Sequence, residues 1–197
     1  MTKYILNSGG IKSHPKLAKK FFAEMVKGLG NEPKLLICCF SQLREDWEEK
    51  FESDKANTDF FPEGVNPVFE LAFPDTFEEQ IRNCDAMYIH GGDDHLIQYW
   101  LKQFDLPKIW DGKVIATNSA SSHALSKYFW TCDWRKAMDG LGILPIKFLA
   151  HFESSYGEND PRGPIDWQSA LAELETYNDN TLPIYALKEG EYIIIEQ

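Results

Sequence analysis

Three places in this sequence set reactive side chains or bare backbone at the end of an apolar run. In Val114-Ile115-Ala116-Thr117-Asn118-Ser119-Ala120-Ser121-Ser122 an apolar run ends in a serine, and small residues follow it. A serine on a sharp strand-to-helix turn holds its hydroxyl above a sheet, with the next amide facing the oxyanion that forms when the hydroxyl attacks a carbonyl. The usual G-x-S-x-G pattern has glycine on both sides, where this chain has Thr117 and Ser121. A serine at a helix start also acts as a plain N-cap, so both readings stand for this segment. In Tyr88-Ile89-His90-Gly91-Gly92-Asp93-Asp94 two glycines follow an apolar run, so the backbone can approach a ligand closely and offer its N–H groups to an oxyanion or a carboxylate. Asp93 is a candidate substrate contact, and Asp93 or Asp94 equally suits capping of the next helix. In Leu149-Ala150-His151-Phe152-Glu153 a histidine closes an apolar run, a position suited to a general base or to a histidine at the edge of a core. His14, His90, His95 and His123 have weaker claims, since they precede a proline, end a strand or fall in expected helices.

Positioning these groups requires strands that end together. Short apolar runs at 3–7, 34–40, 68–73, 86–90, 113–117 and 143–150 read as strands. Amphipathic stretches at 15–29, 42–55, 76–83, 95–104, 120–128 and 165–176 read as helices. Residues 183–187 and 192–195 read as two closing strands of a hairpin around Glu189-Gly190-Glu191. Alternation of this kind predicts one α/β domain over 1–197, a three-layer sandwich with a mostly parallel sheet and helices on both faces. In such sheets, sites form beyond the carboxyl ends of the strands, where all three junctions fall.

Composition narrows the function classes. The chain has 197 residues, is 43% hydrophobic and carries a formal net charge of −11, enough apolar material for a core and the wrong sign for nucleic acid. Cys38, Cys39, Cys84 and Cys132 lack zinc spacing, and Cys38 and Cys39 are neighbours that point to opposite faces of a strand. Reduced, buried thiols are expected, with neither cofactor nor metal. The start of the chain lacks the apolar stretch of a signal peptide, and no run reaches a membrane span, so a cytoplasmic protein without membrane contacts is expected.

In order and spacing, Gly91-Gly92-Asp93, Asn118-Ser119-Ala120-Ser121 and Leu141-Gly142-Ile143-Leu144-Pro145 leading to His151-Phe152 resemble the peptidase E and cyanophycinase-type serine peptidases, which share the class I glutamine amidotransferase-like fold. The ending Pro183-Ile184-Tyr185-Ala186-Leu187-Lys188-Glu189-Gly190 resembles the family's closing strand and turn. The resemblance implies that Ser119 is the nucleophile and His151 its base. The oxyanion hole would come from Ala120 and from Gly91 or Gly92. It implies Asp133 as the orienting acid, with Glu153 as the alternative that the amidotransferases suggest. It also implies short peptide substrates, with aspartyl dipeptides among them, and hence a cation near the site, for which Arg135 and Arg162 are the candidates. A monomer or homodimer is expected. The alternative function is a catalytically silent ligand- or partner-binding module on the same fold. A cysteine nucleophile fits less well, because no cysteine stands at the elbow.

Overall fold

The structure is a computed structural model of the chain and describes every residue except Asn57. Its main sheet contains β1 (Lys3–Asn7), β2 (Lys34–Cys38), β3 (Val68–Leu71), β4 (Ala86–Ile89), β5 (Val114–Asn118) and β10 (Tyr192–Glu196). Their order is β10-β1-β5-β4-β2-β3, parallel throughout except for β10, which runs antiparallel to β1. The centre of this sheet is apolar on both faces: Leu35 to Cys38 and Ala86 to Ile89 are all buried, as strands covered by helices on both sides must be. On α1 (Pro15–Val26), Ala18, Phe21, Phe22, Met25 and Val26 fall at helical spacing and are buried. The remaining helices are α2 (Trp47–Lys55), α3 (Phe77–Asn83), α4 (Asp94–Leu101), α5 (Ala120–Leu125) and α6 (Trp167–Thr176). None of the described helices is long and apolar enough to cross a membrane.

The fold class is the expected mostly parallel α/β arrangement, but the strands divide between two sheets. The helix expected over 120–128 stops at Leu125, and the chain continues directly as β6 (Ser126–Thr131). Two causes are visible. Ser126 Oγ donates to the His123 carbonyl at 2.7 Å and closes the helix end, and the following Tyr-Phe-Trp-Thr run favours a pleated surface. With β7 (Lys136–Asp139), β8 (Leu144–Leu149) and β9 (Ile184–Ala186), this strand makes a second sheet of order β7-β6-β8-β9. It shares its own apolar cluster with α6, in which Trp130 and Leu149 of the sheet pack with Ala170 and Leu174 of the helix. There Lys147 is fully buried, and its ammonium donates to the carbonyls of Leu174, Glu175 and Tyr177 at the end of α6, where unpaired carbonyls attract a cation.

The expected terminal hairpin does not form. Strand β9 pairs with β8 in the second sheet, whereas β10 pairs with β1 in the first. The turn at 188–191 therefore carries the chain from one sheet to the other. Since β5 lies between β1 and β4, the loops after β1, β4 and β5 open on one side. The loop after β8 and the inter-sheet turn join them there.

Candidate active site

Ser119 stands between β5 and α5 with φ +49° and ψ −109°, in a region that side-chain-bearing residues rarely adopt and that costs about 1–3 kcal/mol. The surroundings hold it there. Its amide donates to the Asn7 carbonyl at 2.9 Å, and its carbonyl accepts from the His123 amide at 3.0 Å. The two positions usually occupied by glycine strengthen this turn. Thr117 and Ser121 are fully buried. Ser121 Oγ accepts from the Asn118 amide at 2.8 Å and donates to the Ile89 carbonyl at 2.8 Å. Thr117 and Ser122 share a 2.7 Å hydroxyl contact, and Ser122 Oγ donates to the Asn7 carbonyl at 2.8 Å. Ser119 makes no side-chain cap on its helix.

Its hydroxyl lies 2.9 Å from His151 Nε2. His151 follows β8 with φ +57°, and its amide donates to Ser8 Oγ at 2.7 Å. Ser8 in turn donates to the Leu187 carbonyl at 2.6 Å and so ties the loop after β1 to the ends of both partner segments. The imidazole lies over the backbone of Gly9, where a Cβ would come within 2.6 Å of Nε2. Burial pushes the imidazole below the ordinary histidine value, and the carboxylate beside it pulls only partly the other way.

That carboxylate belongs to Glu189, whose Oε1 is 2.8 Å from His151 Nδ1. Glu189 sits in the inter-sheet turn, fixed by the Gly190 amide, which donates to the Gly9 carbonyl at 2.8 Å. Sequence reasoning misses it because residues 183–195 read as a hairpin, which makes this turn a tip remote from the site. The available signal was the resemblance of the closing strand and turn, read at residue level.

Neither acid expected from the sequence reaches the imidazole. Asp133 Oδ1 accepts from the Tyr156 hydroxyl at 3.0 Å, and the Tyr156 ring stacks on His151 with centroids 4.2 Å apart. Strand β6 does carry the chain back toward the site, but the histidine's second nitrogen faces the other sheet's turn. Glu153 forms a 2.8 Å ion pair with Lys188. Residues i and i+2 share a face only on an extended chain, and His151 and Glu153 both have positive φ, so the loop turns Glu153 away.

The expected substrate contacts are also engaged elsewhere. Arg162 pairs with Asp160, and Arg135 donates to the Gly163 carbonyl. Asp93 caps α4 by accepting from the His95 and Leu96 amides at 2.8 Å each. None of the three lines the narrow cleft beside Ser119, which is bounded by Gly92, Ala120 and Tyr156 among others. Gly91 packs so closely on Asn118 that a Cβ would lie 2.8 Å from its carbonyl oxygen, and at Gly92 a Cβ would lie 2.5 Å from the Ser41 carbonyl oxygen. All four cysteines are buried free thiols, with burial pushing Cys84 up to about 11 and Cys39 up to about 12.

No family model matches the sequence, and no curated protein matches it. Among solved structures, the chain is similar to a Listeria monocytogenes EGD-e protein provisionally named peptidase E, with a TM-score of 0.67, 17% identity and coverage of 99% of this chain and 94% of that one. It is similar also to a peptidase from an acI-B1 Actinobacterium, with a TM-score of 0.67, 16% identity and coverage of 99% and 83%. At this identity the likeness is one of fold, and it extends over almost the whole chain.

Proposed function

We propose that the protein is a serine-type hydrolase that cleaves an amide bond in short peptides through an acyl-enzyme. The observation that carries this reading is the chain of contacts from Ser119 Oγ through the two ring nitrogens of His151 to Glu189, at 2.9 and 2.8 Å. Ser119 Oγ attacks the carbonyl carbon while His151 Nε2 takes its proton. Glu189 accepts the Nδ1–H, holds the tautomer and stabilises the imidazolium. The oxyanion is held by the Ala120 amide together with one from Gly91 or Gly92, a role supported by the close approach of Gly91 to Asn118 in the elbow and by the place of Gly92 in the wall of the cleft beside Ser119. His151 then protonates the departing amine, and water attacks the acyl group by the same route in reverse. The peptidase fold shared with the two solved structures supports the choice of an amide bond.

The test is labelling of the intact protein with a fluorophosphonate. Mass spectrometry should find one adduct on Ser119 in the wild type and none in Ser119→Ala. A wild-type protein that stays unlabelled under conditions that label other serine hydrolases contradicts the reading and favours a silent binding module.

A further inference from the structure

The loop after β4 is gripped from one side. The His90 carbonyl accepts from Ser41 Oγ at 2.8 Å. The Gly91 carbonyl accepts from the same hydroxyl at 2.9 Å and from the Gln42 side-chain amide, and His90 Nδ1 lies 2.9 Å from it. Ser41 and Gln42 follow β2, on one flank of β4; β5, which leads to Ser119, is on the other flank. Both carbonyls are therefore drawn toward the β2 side. In a trans peptide the C=O and N–H point in opposite directions, and the only cis bond among the described residues precedes Pro107. The Gly91 and Gly92 amides are thus turned toward the β5 side, two successive N–H groups facing one way, as in backbone that binds an anion. Among the described residues neither donates to a backbone carbonyl, and Gly92 stands in the cleft wall with Ser119 and Ala120.

We propose that His90 and Gln42 are positioning residues of the oxyanion hole: with Ser41 they hold the Gly91 carbonyl outward and so aim the Gly92 amide at the oxyanion. The inference rests on the hydrolase reading and names which amide serves it. A peptide between two glycines turns over easily, and a turned peptide would face the oxyanion with a carbonyl oxygen. Ser41 has one hydroxyl proton for two carbonyls, so it cannot secure both. Gln42 and His90 supply the other donors, and each is itself fixed. The Gln42 carbonyl accepts from Trp47 Nε1 at 3.0 Å, and the His90 amide donates to the Cys38 carbonyl at 2.8 Å. Behind the His90 ring, Asp54 Oδ2 lies 3.6 Å from Nε2, while Lys12 holds Oδ1 at 2.9 Å. The ring thus faces an acceptor at each nitrogen, and Nδ1 carries the proton that holds the Gly91 carbonyl.

Phosphonylation of Ser119 by a fluorophosphonate builds a tetrahedral centre whose phosphoryl oxygen takes the oxyanion's place, so its rate reads the alignment of the hole without a known substrate. Loss of an oxyanion donor costs about 10²–10³-fold, so His90→Leu and Gln42→Leu, each sparing the other donor, should slow labelling by about 10-fold, and the double variant by about 10²-fold or more. His90→Asn, whose side-chain N–H falls close to the place of Nδ1, should recover most of the His90→Leu loss; recovery by a smaller residue separates positioning from packing. In wild-type protein carrying isotope-labelled glycine, the Gly92 amide proton should move downfield in NMR spectra when the adduct forms, and should barely move in the double variant. Circular dichroism checks each fold, and if the double variant does not fold, the wild-type Gly92 shift decides. A wild-type labelling rate in the folded double variant, or a Gly92 amide that ignores the adduct, overturns the inference and leaves the hydrolase standing. A wild type that does not label at all rejects both.

Discussion

Two histidine–carboxylate pairs lie at the junction of the two sheets, and their bond lengths hardly differ. His151 Nδ1 is 2.8 Å from Glu189, and His123 Nδ1 is 2.9 Å from Asp94. What differs is the second nitrogen. His151 Nε2 faces the Ser119 hydroxyl, whereas His123 Nε2 accepts from the Ala150 amide at 3.4 Å, and its ring is stacked on Phe129 with centroids 4.7 Å apart. Exposure differs too: the side chains of Asp94 and His123 are each 4% exposed, while that of Glu189 is 30% exposed. A proton relay needs an outlet. The inner pair ends on a backbone amide, so it holds the core between α4, α5 and β8; the outer pair ends on the Ser119 hydroxyl.

The comparison breaks most visibly at Ser119. Ser119→Ala and His151→Ala should each lower kcat/KM on a cleaved peptide by about 10⁴-fold or more, and the double variant should be little slower than either, since the groups act as a unit. Additive losses in steady-state kinetics would separate the two residues. Next comes the acid. Glu189→Gln keeps the size and removes the charge, and should cost about 10³-fold or more in kcat, as loss of the orienting carboxylate does in such triads.

The inner pair should respond in the opposite way. His123→Ala leaves Asp94 buried without its partner and should lower the unfolding free energy by about 3–5 kcal/mol, read from the denaturation midpoint. Unchanged stability would contradict the structural role given to that pair. The smallest effect concerns pH. Burial depresses the His151 value, so the imidazole takes up a proton only below the ordinary histidine pKa of about 6.5 and stays available as a base above it. kcat/KM should rise with pH through a midpoint below that value and then level off. A midpoint above it, or a rate falling with increasing pH, would reverse the sign assigned to the desolvation of His151.

Much of this arrangement was legible in the residues. The strand-to-helix serine, the double glycine and the histidine after an apolar run are local signals, and each falls at a junction the folded chain keeps. Helix α1 was readable from Leu17, Phe21, Phe22, Met25, Val26 and Leu29, although the helix ends at Val26, and Ala18 is buried where Leu17 is only partly so. What was not legible is non-local. Whether residues 183–187 pair with 192–195 or part to different sheets depends on the open edge of β1 and the flank of β8, which no short window contains. Glu189 was lost with that pairing. The choice of Asp133 failed for a related reason: chain spacing brought it to the right end of the sheet, but not to the right nitrogen. Thr117 and Ser121 show the reverse, because departures from a glycine pattern that weakened the motif turn out to brace it through buried hydroxyls.

The central claim is that Glu189, reaching His151 from the inter-sheet turn, activates Ser119. The rate of Ser119 acylation by a fluorophosphonate, followed in wild type, Glu189→Gln and Glu153→Gln, tests it most directly. The account predicts acylation slowed by about 10²-fold or more in Glu189→Gln and a wild-type rate in Glu153→Gln, whose carboxylate is held by Lys188. A wild-type rate in Glu189→Gln together with a collapse in Glu153→Gln would contradict it.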